Sequence, residues 1–179
     1  MIMSPGARKL ALTTHVACSV GWLGSVAVFL ALAVIGLASE DAPLVRAVYR
    51  AMEPVTWLVI VPLSLASLAT GLVQSLGTTW GLFRHYWVVV KLALTILATL
   101  LLLLHTRPIG YLADVAAEGA AIGGELGRLR IQLVADATGA LLLLLMTTAL
   151  SVYKPRGMTP YGQRKERAQR RAAASVSTP

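Results

Sequence analysis

Apolar residues run along this chain in four long blocks, and polar residues gather between them. The blocks extend from Leu10 to Ala38, from about Val55 to Leu76, from Tyr86 through Leu104, and from about Ile131 to Tyr153. Each is long enough for the roughly 20 residues a helix needs to cross bilayer hydrocarbon. No water is available there to satisfy backbone N–H and C=O groups, so an open-ended span must close its hydrogen bonds within itself, as a helix. The pattern predicts an all-α fold: a polytopic membrane four-helix bundle with helices at about 10–38, 55–76, 86–107 and 131–153. Arg8 and Lys9 before the first block, and the LAS that ends it, resemble a secretory signal. The apolar core of such a signal is about 7–15 residues, half of what is present, so the block reads as a retained helix.

Composition agrees with the blocks. The chain is 56% apolar and 13% charged, against about a quarter charged in soluble domains. The single cysteine, Cys18, excludes an intrachain disulfide or a cysteine metal site and reads as a small core residue.

Charge then orients the spans. Lys and Arg collect in short cytoplasmic flanks. The N-terminus, the connection near residue 84 and the tail share a side, with ten basic residues against one acid, Glu166. The other side balances Arg46, Arg50, Arg107, Arg128 and Arg130 with six acids. Both termini are therefore expected in the cytoplasm. Most of the net charge of +8 is this topology signal plus the basic tail, 154–179. The tail is expected to be a partly disordered anchor on anionic lipid, with RKERAQRRAAA able to form a helix. No aromatic interleaving supports nucleic-acid binding. Residues 106–130 are expected to carry one or two short amphipathic helices on the outer surface, broken at Gly123 and Gly124.

Depth can be counted at 1.5 Å per residue. His15 and Lys91 each lie about five residues, roughly 8 Å, inside the cytoplasmic boundary of helices that both run outward. Gln74 is shallower and His85 is interfacial. At the other end His105, on a stripe with Lys91, Thr95, Ala98 and Leu102, is expected near Asp136, with Glu53, Arg107 and Arg130 around them. The stripe of the last helix is read as Asp136, Gly139, Leu143, Thr147 and Leu150. Ala17, Gly21 and Ser25, and Ser67, Gly71 and Ser75, form small-residue ladders that let backbones approach and suit pairing with a second copy.

Ionisable residues within a membrane are functional candidates, and each has two readings. His15 either ligates haem iron through a ring nitrogen or only hydrogen-bonds across the bundle. Lys91 pairs with a haem propionate or an anionic substrate, carries a proton, or snorkels to the surface. His15 and His105 lie near opposite faces and cannot share one haem, whereas His15 with His85 remains open. His105 and Asp136 form a proton-relay element, part of a metal site, or a structural hydrogen bond. No nucleophile elbow, zinc-protease motif, phosphate loop or dinucleotide fingerprint is present.

HVACSVGWLGSV in the first helix resembles the H…W-x-G opening shared by HemJ-type protoporphyrinogen oxidases, CopD-type copper-resistance membrane proteins and other bacterial four-helix integral membrane families. YRAMEPVTWLVIVPLSLASLATGL, and WVVVKL followed by a later histidine, resemble the HemJ type over roughly residues 10–107. The Lys91–His105 spacing is about one turn longer than that pattern, and the last half shows no match. The resemblance implies haem b as the cofactor, with His15 as iron ligand and Lys91 beside it. It does not extend to assigning the oxidase activity. Arg outnumbers Lys by 12 to 4, which with abundant Ala and Leu suits a bacterial gene of high GC content. A multi-pass protein of the bacterial cytoplasmic (inner) membrane is expected, haem-binding or redox-linked, or else a non-enzymatic assembly, transport-accessory or structural protein.

Overall fold

The computed structural model describes residues 3–77, 82–118, 125–155 and 157–176; Gly123, Gly124 and Arg156 lie outside the described residues. The described chain is helical: α1 (Pro5–Ala38), α2 (Ala42–Val55), α3 (Val61–Gly77), α4 (Tyr86–Ala117), α5 (Glu125–Tyr153) and α6 (Pro160–Val176). A π-helical turn, Thr56–Ile60, joins α2 to α3 without a break. The four spans Pro5–Ala38, Ala42–Gly77, Tyr86–Ala117 and Leu126–Tyr153 are long and apolar enough to cross a membrane, which makes this a multi-pass membrane protein. They form a four-helix bundle in which α1 and α4 stand diagonally, each flanked by α3 and α5. The N-terminus, the α3–α4 connection and the tail gather at one end, here the near end. Met3 N donates to Gly77 O at 3.4 Å, and Tyr86 N to Gly157 O at 3.3 Å.

The helices outrun the apolar blocks, mostly at the far end. α1, with 34 residues at 1.5 Å each, is about 51 Å long, well beyond about 30 Å of hydrocarbon. The segment before Val55, expected as a connection, is the amphipathic helix α2, which buries Val45, Val48, Tyr49 and Met52 at helical spacing. Opposite it, α4 does not stop at Pro108. The short amphipathic helices expected after residue 106 are instead the continuation of α4, which buries Ile109, Leu112, Ala113 and Ala116. An interior proline costs a helix about 3 kcal/mol. Burying Ile109 and Leu112 alone returns about 3–6 kcal/mol, so packing against α2 wins.

Pro54 and Pro62 bracket the π-helical turn. A proline withdraws an N–H and presses on the carbonyl four residues back, and a widened turn is one way a helix absorbs this. Val61 N accordingly reaches Thr56 O, five residues back. Thr56, wholly buried, returns its hydroxyl to Met52 O at 2.8 Å.

Arg130 on α5 closes the far end. It donates to Tyr49 Oη at 3.1 Å, to Leu37 O at 3.2 Å and, more closely, to Gly36 O. Its guanidinium also sits 5.9 Å from the Tyr49 ring centroid. The last carbonyls of a helix lack intrahelical donors, and a cation there also meets the negative end of the helix dipole. Arg130, expected around His105 and Asp136, thus reaches the end of α1 and α2.

The small-residue ladders are used inside the chain. A Cβ on Gly21 would lie 3.2 Å from Leu63, and one on Gly71 3.2 Å from His15; Ala17 is exposed. On α5 the buried line is Leu133, Ala137, Leu144 and Thr147. Gly139, expected on the inward stripe, is exposed, and a Cβ there would meet nothing within 4 Å.

The basic segment of the tail is α6, anchored at its first turn. Thr159 N donates to Arg84 O at 3.0 Å, and the Thr159 hydroxyl to Phe83 O. Gly162 N then donates to the same hydroxyl at 3.1 Å, as at a helix N-cap.

Gly36 and Gly139 form a contrast pair for calorimetry in detergent. A Cβ on Gly36 would lie 2.7 Å from Cζ of buried Tyr49, so Gly36→Ala is expected to cost about 1–3 kcal/mol through overpacking. Gly139→Ala, in open space, should hold or raise the melting temperature, since alanine is the better helix former by about 1 kcal/mol. Equal effects would contradict the packing described.

Candidate functional site

Two polar groups that spacing places at one depth meet across the diagonal of the bundle. Lys91 Nζ lies 3.4 Å from His15 Nε2. The lysine therefore points inward and does not snorkel outward. Behind the imidazole, Nδ1 lies 3.1 Å from Ser67 O and 3.0 Å from Thr70 Oγ1, both on α3. These partners assign the ring protons. A carbonyl only accepts. The single Thr70 hydroxyl proton is already directed at backbone carbonyls, Ala66 O at 2.6 Å or Ser67 O at 3.2 Å. At both contacts Nδ1–H must be the donor, so the Nε2 lone pair faces Lys91, which donates to it.

The α1–α3 seam holds this geometry. The Ser19 and Ser67 hydroxyls bond at 2.8 Å, and Gln74 Nε2 donates to Ala11 O at 2.8 Å. Gly71 leaves the space in which the imidazole edge rests. Gln74, expected at the rim of the cluster, thus acts on the backbone of α1.

The pair divides two cavities. The larger, about 670 Å³, runs between α1, α4 and α5 from Met3, Arg8 and Lys154 at the near end to Trp22, Leu23 and Leu144. The smaller, about 120 Å³, lies between α3 and α4. His15, Ser67, Gln74, Trp87, Lys91 and Thr95 border both. Among the described residues no Asp or Glu lines either one. The larger volume is within the roughly 300–1,000 Å³ of small-molecule sites.

One residue singled out with this cluster lies elsewhere. His85 is the N-cap residue of α4, pairs with Met158 in an isolated bridge, and borders neither cavity. At the far end His105 and Asp136 do come together, Nε2 to Oδ2 at 2.9 Å, across the α4–α5 contact. His105 Nδ1 donates to Leu101 O at 2.7 Å, so the contact is an ion pair when the ring carries both protons. Glu53 stands apart over Gly110, and Arg107 is exposed. Arg8 and Lys154, topology charges by their place in the sequence, both border the large cavity. Nothing in the hydropathy pattern separates them from other flank cations.

The donor set can be compared with what haem would need. A metal-ligating histidine usually donates its other ring N–H to a carbonyl or carboxylate, as His15 does to Ser67 O. Iron on Nε2 would sit where Lys91 Nζ approaches, so the ammonium would have to swing aside on its four-carbon stem. Lys91, Arg8 and Lys154 are then cations within reach of carboxylates. The residues fit the group. Among the described residues no three His, Cys, Asp or Glu side chains gather as a metal site. No family model, curated protein or solved structure matches the chain.

The proton assignment has a direct spectroscopic test. In ¹⁵N-histidine-labelled protein, His15 is expected to show a proton on Nδ1 and none on Nε2, with the Nε2 resonance moving in Lys91→Met. A proton found on Nε2 alone would overturn the assignment.

Proposed function

We propose that this protein binds an anionic, largely apolar ligand in the cavity beside His15 and Lys91, and that the ligand is haem b. One observation carries the reading: the Nε2 lone pair of His15 and the inward ammonium of Lys91, 3.4 Å apart, border a cavity of about 670 Å³ lined by cations and no carboxylate among the described residues. Charged groups inside a membrane are otherwise paired or functional. The likeness of HVACSVGWLGSV and WVVVKL to HemJ-type and CopD-type membrane proteins supports the same reading. In it, His15 Nε2 would hold the iron, Ser67 and Thr70 would orient its ring, and Lys91 with Arg8 and Lys154 would meet the propionates. Bound haem would supply one-electron redox chemistry. The basic near end suits the cytoplasmic face of a bacterial inner membrane. Arg164, Lys165, Arg167, Arg170 and Arg171, all exposed on α6, suit anionic lipid at about 1 kcal/mol each.

A second reading is a non-enzymatic assembly, transport-accessory or structural membrane protein. The hydrogen bonds among His15, Ser67, Thr70, Ser19 and Gln74 favour it, because they already stitch α1 to α3.

The visible spectrum of protein purified in mild detergent from haem-replete cells separates the two. A Soret band with sharp α and β bands on dithionite reduction is the expected result, lost in His15→Ala and shifted or weakened in Lys91→Met. A flat spectrum, or one unchanged in His15→Ala, would remove haem ligation and leave the stitching role.

A further inference from the structure

The near half of the bundle is packed differently from the far half. Every buried residue of α1 lies at or beyond Trp22: Trp22, Val26, Phe29, Ala33 and Gly36. Before it, Leu12, Val16 and Val20 border the large cavity while remaining 53%, 50% and 63% exposed. Side chains that both border a cavity and face outward mark a rim. Val152, across from them on α5, borders the same cavity and is also exposed. In a membrane-spanning bundle the surroundings at this level are lipid, so the cavity opens sideways between α1 and α5.

The shape and chemistry of the cavity narrow what enters. From Arg8 to Leu23 it follows fifteen residues of α1, about 22 Å at 1.5 Å each, and its deep end, at Trp22, Leu23 and Leu144, is apolar. Its inward cation is Lys91, whose contact is a histidine nitrogen and not a carboxylate. A zwitterionic headgroup would carry its own cation against Lys91, and two acyl chains exceed a single elongated slot.

We propose that a membrane-borne amphiphile with one apolar chain and a carboxylate head enters between α1 and α5, sets its head against Lys91, and lays its chain toward Trp22. This rests on reading the cavity as an anionic-ligand site, and it is independent of iron.

Trp22 reports occupancy directly, because it borders the cavity and is 3% exposed. Haem and the amphiphile would compete for this cavity, so the experiment uses full-length protein free of bound haem, in nanodiscs, with Trp57, Trp80 and Trp87 replaced by Phe so that Trp22 alone fluoresces. The probes are a dibrominated octadecanoic acid, its methyl ester, and a phosphatidylcholine carrying the same brominated chain. Saturable quenching by the acid is expected, roughly tenfold tighter than by the ester, a factor equal to about 1.4 kcal/mol. Lys91→Met should bring the acid to the level of the ester, and Lys91→Arg, which keeps the charge, should restore the difference. Equal quenching by acid and ester, quenching by phosphatidylcholine as strong as by the acid, or no quenching of Trp22 would each overturn the proposal. A haem spectrum without acid-selective quenching removes this inference and leaves the proposed function standing. Acid-selective quenching with a flat spectrum does the reverse.

Discussion

Side-chain packing in this bundle is concentrated between Trp22 and Gly36 of α1, and the other features depend on that. There the core around α1 includes Tyr49, Met52, Leu112, Leu133 and Ala137, whereas the hydrogen bonds between α1 and α3 lie nearer the other end, at Ala11, His15 and Ser19. Within lipid no difference in hydrophobicity drives helices together, so close packing has to supply the association. With the far half fixed, and Arg130 binding the end of α1 to α2 and α5, the near half need not be close-packed. It holds the larger cavity, on the side where His15 and Lys91 face each other.

Most hydroxyls in the interior take no part in joining helices. Thr56, Ser64, Thr99 and Thr147 are buried, and each donates to a carbonyl three or four residues back in its own segment. Such bonds satisfy the group locally and bear on helix bending more than on association. Against that background the polar contacts between helices are few. The Ser19, Gln74 and His15 bonds close the α1–α3 seam, His15 meets Lys91 across the bundle, His105 meets Asp136 at α4–α5, and Arg130 joins α5 to Tyr49 and to the end of α1.

The four spans were legible because apolar runs of this length have one solution in lipid. The shared depth of His15 and Lys91 could be counted because both helices start at the near surface and run the same way, and the approach of His105 to Asp136 followed from similar counting. What escaped was decided by packing. The segment LVRAVYRAM reads as a charged connection when scored for hydropathy, although Val45, Val48, Tyr49 and Met52 mark a helical face. The third span, expected to end near residue 107, continues through Pro108 because it packs against α2. The inward face of α5 keeps Thr147 of the expected stripe but otherwise runs through Leu133, Ala137 and Leu144, while Asp136 faces His105 as expected. Arg130 carries no sign in the sequence that its partners are the last carbonyls of α1.

The π-helical turn also settles a matter of phase. Met52, Thr56, Ile60 and Ser64 are all buried and stand four apart. On a regular α-helix, at about 100° per residue, each step of four overshoots a full turn by about 40°. Three such steps would carry Ser64 about a third of the way round from Met52. The widened turn takes up part of that excess, so that α2 and α3 present one continuous inner seam. The second span therefore behaves as a rod with a compensated thread. Losing a single residue within Thr56–Ile60 would leave its length and hydropathy nearly untouched, yet rotate Ser67, Thr70 and Gly71 away from the imidazole they hold.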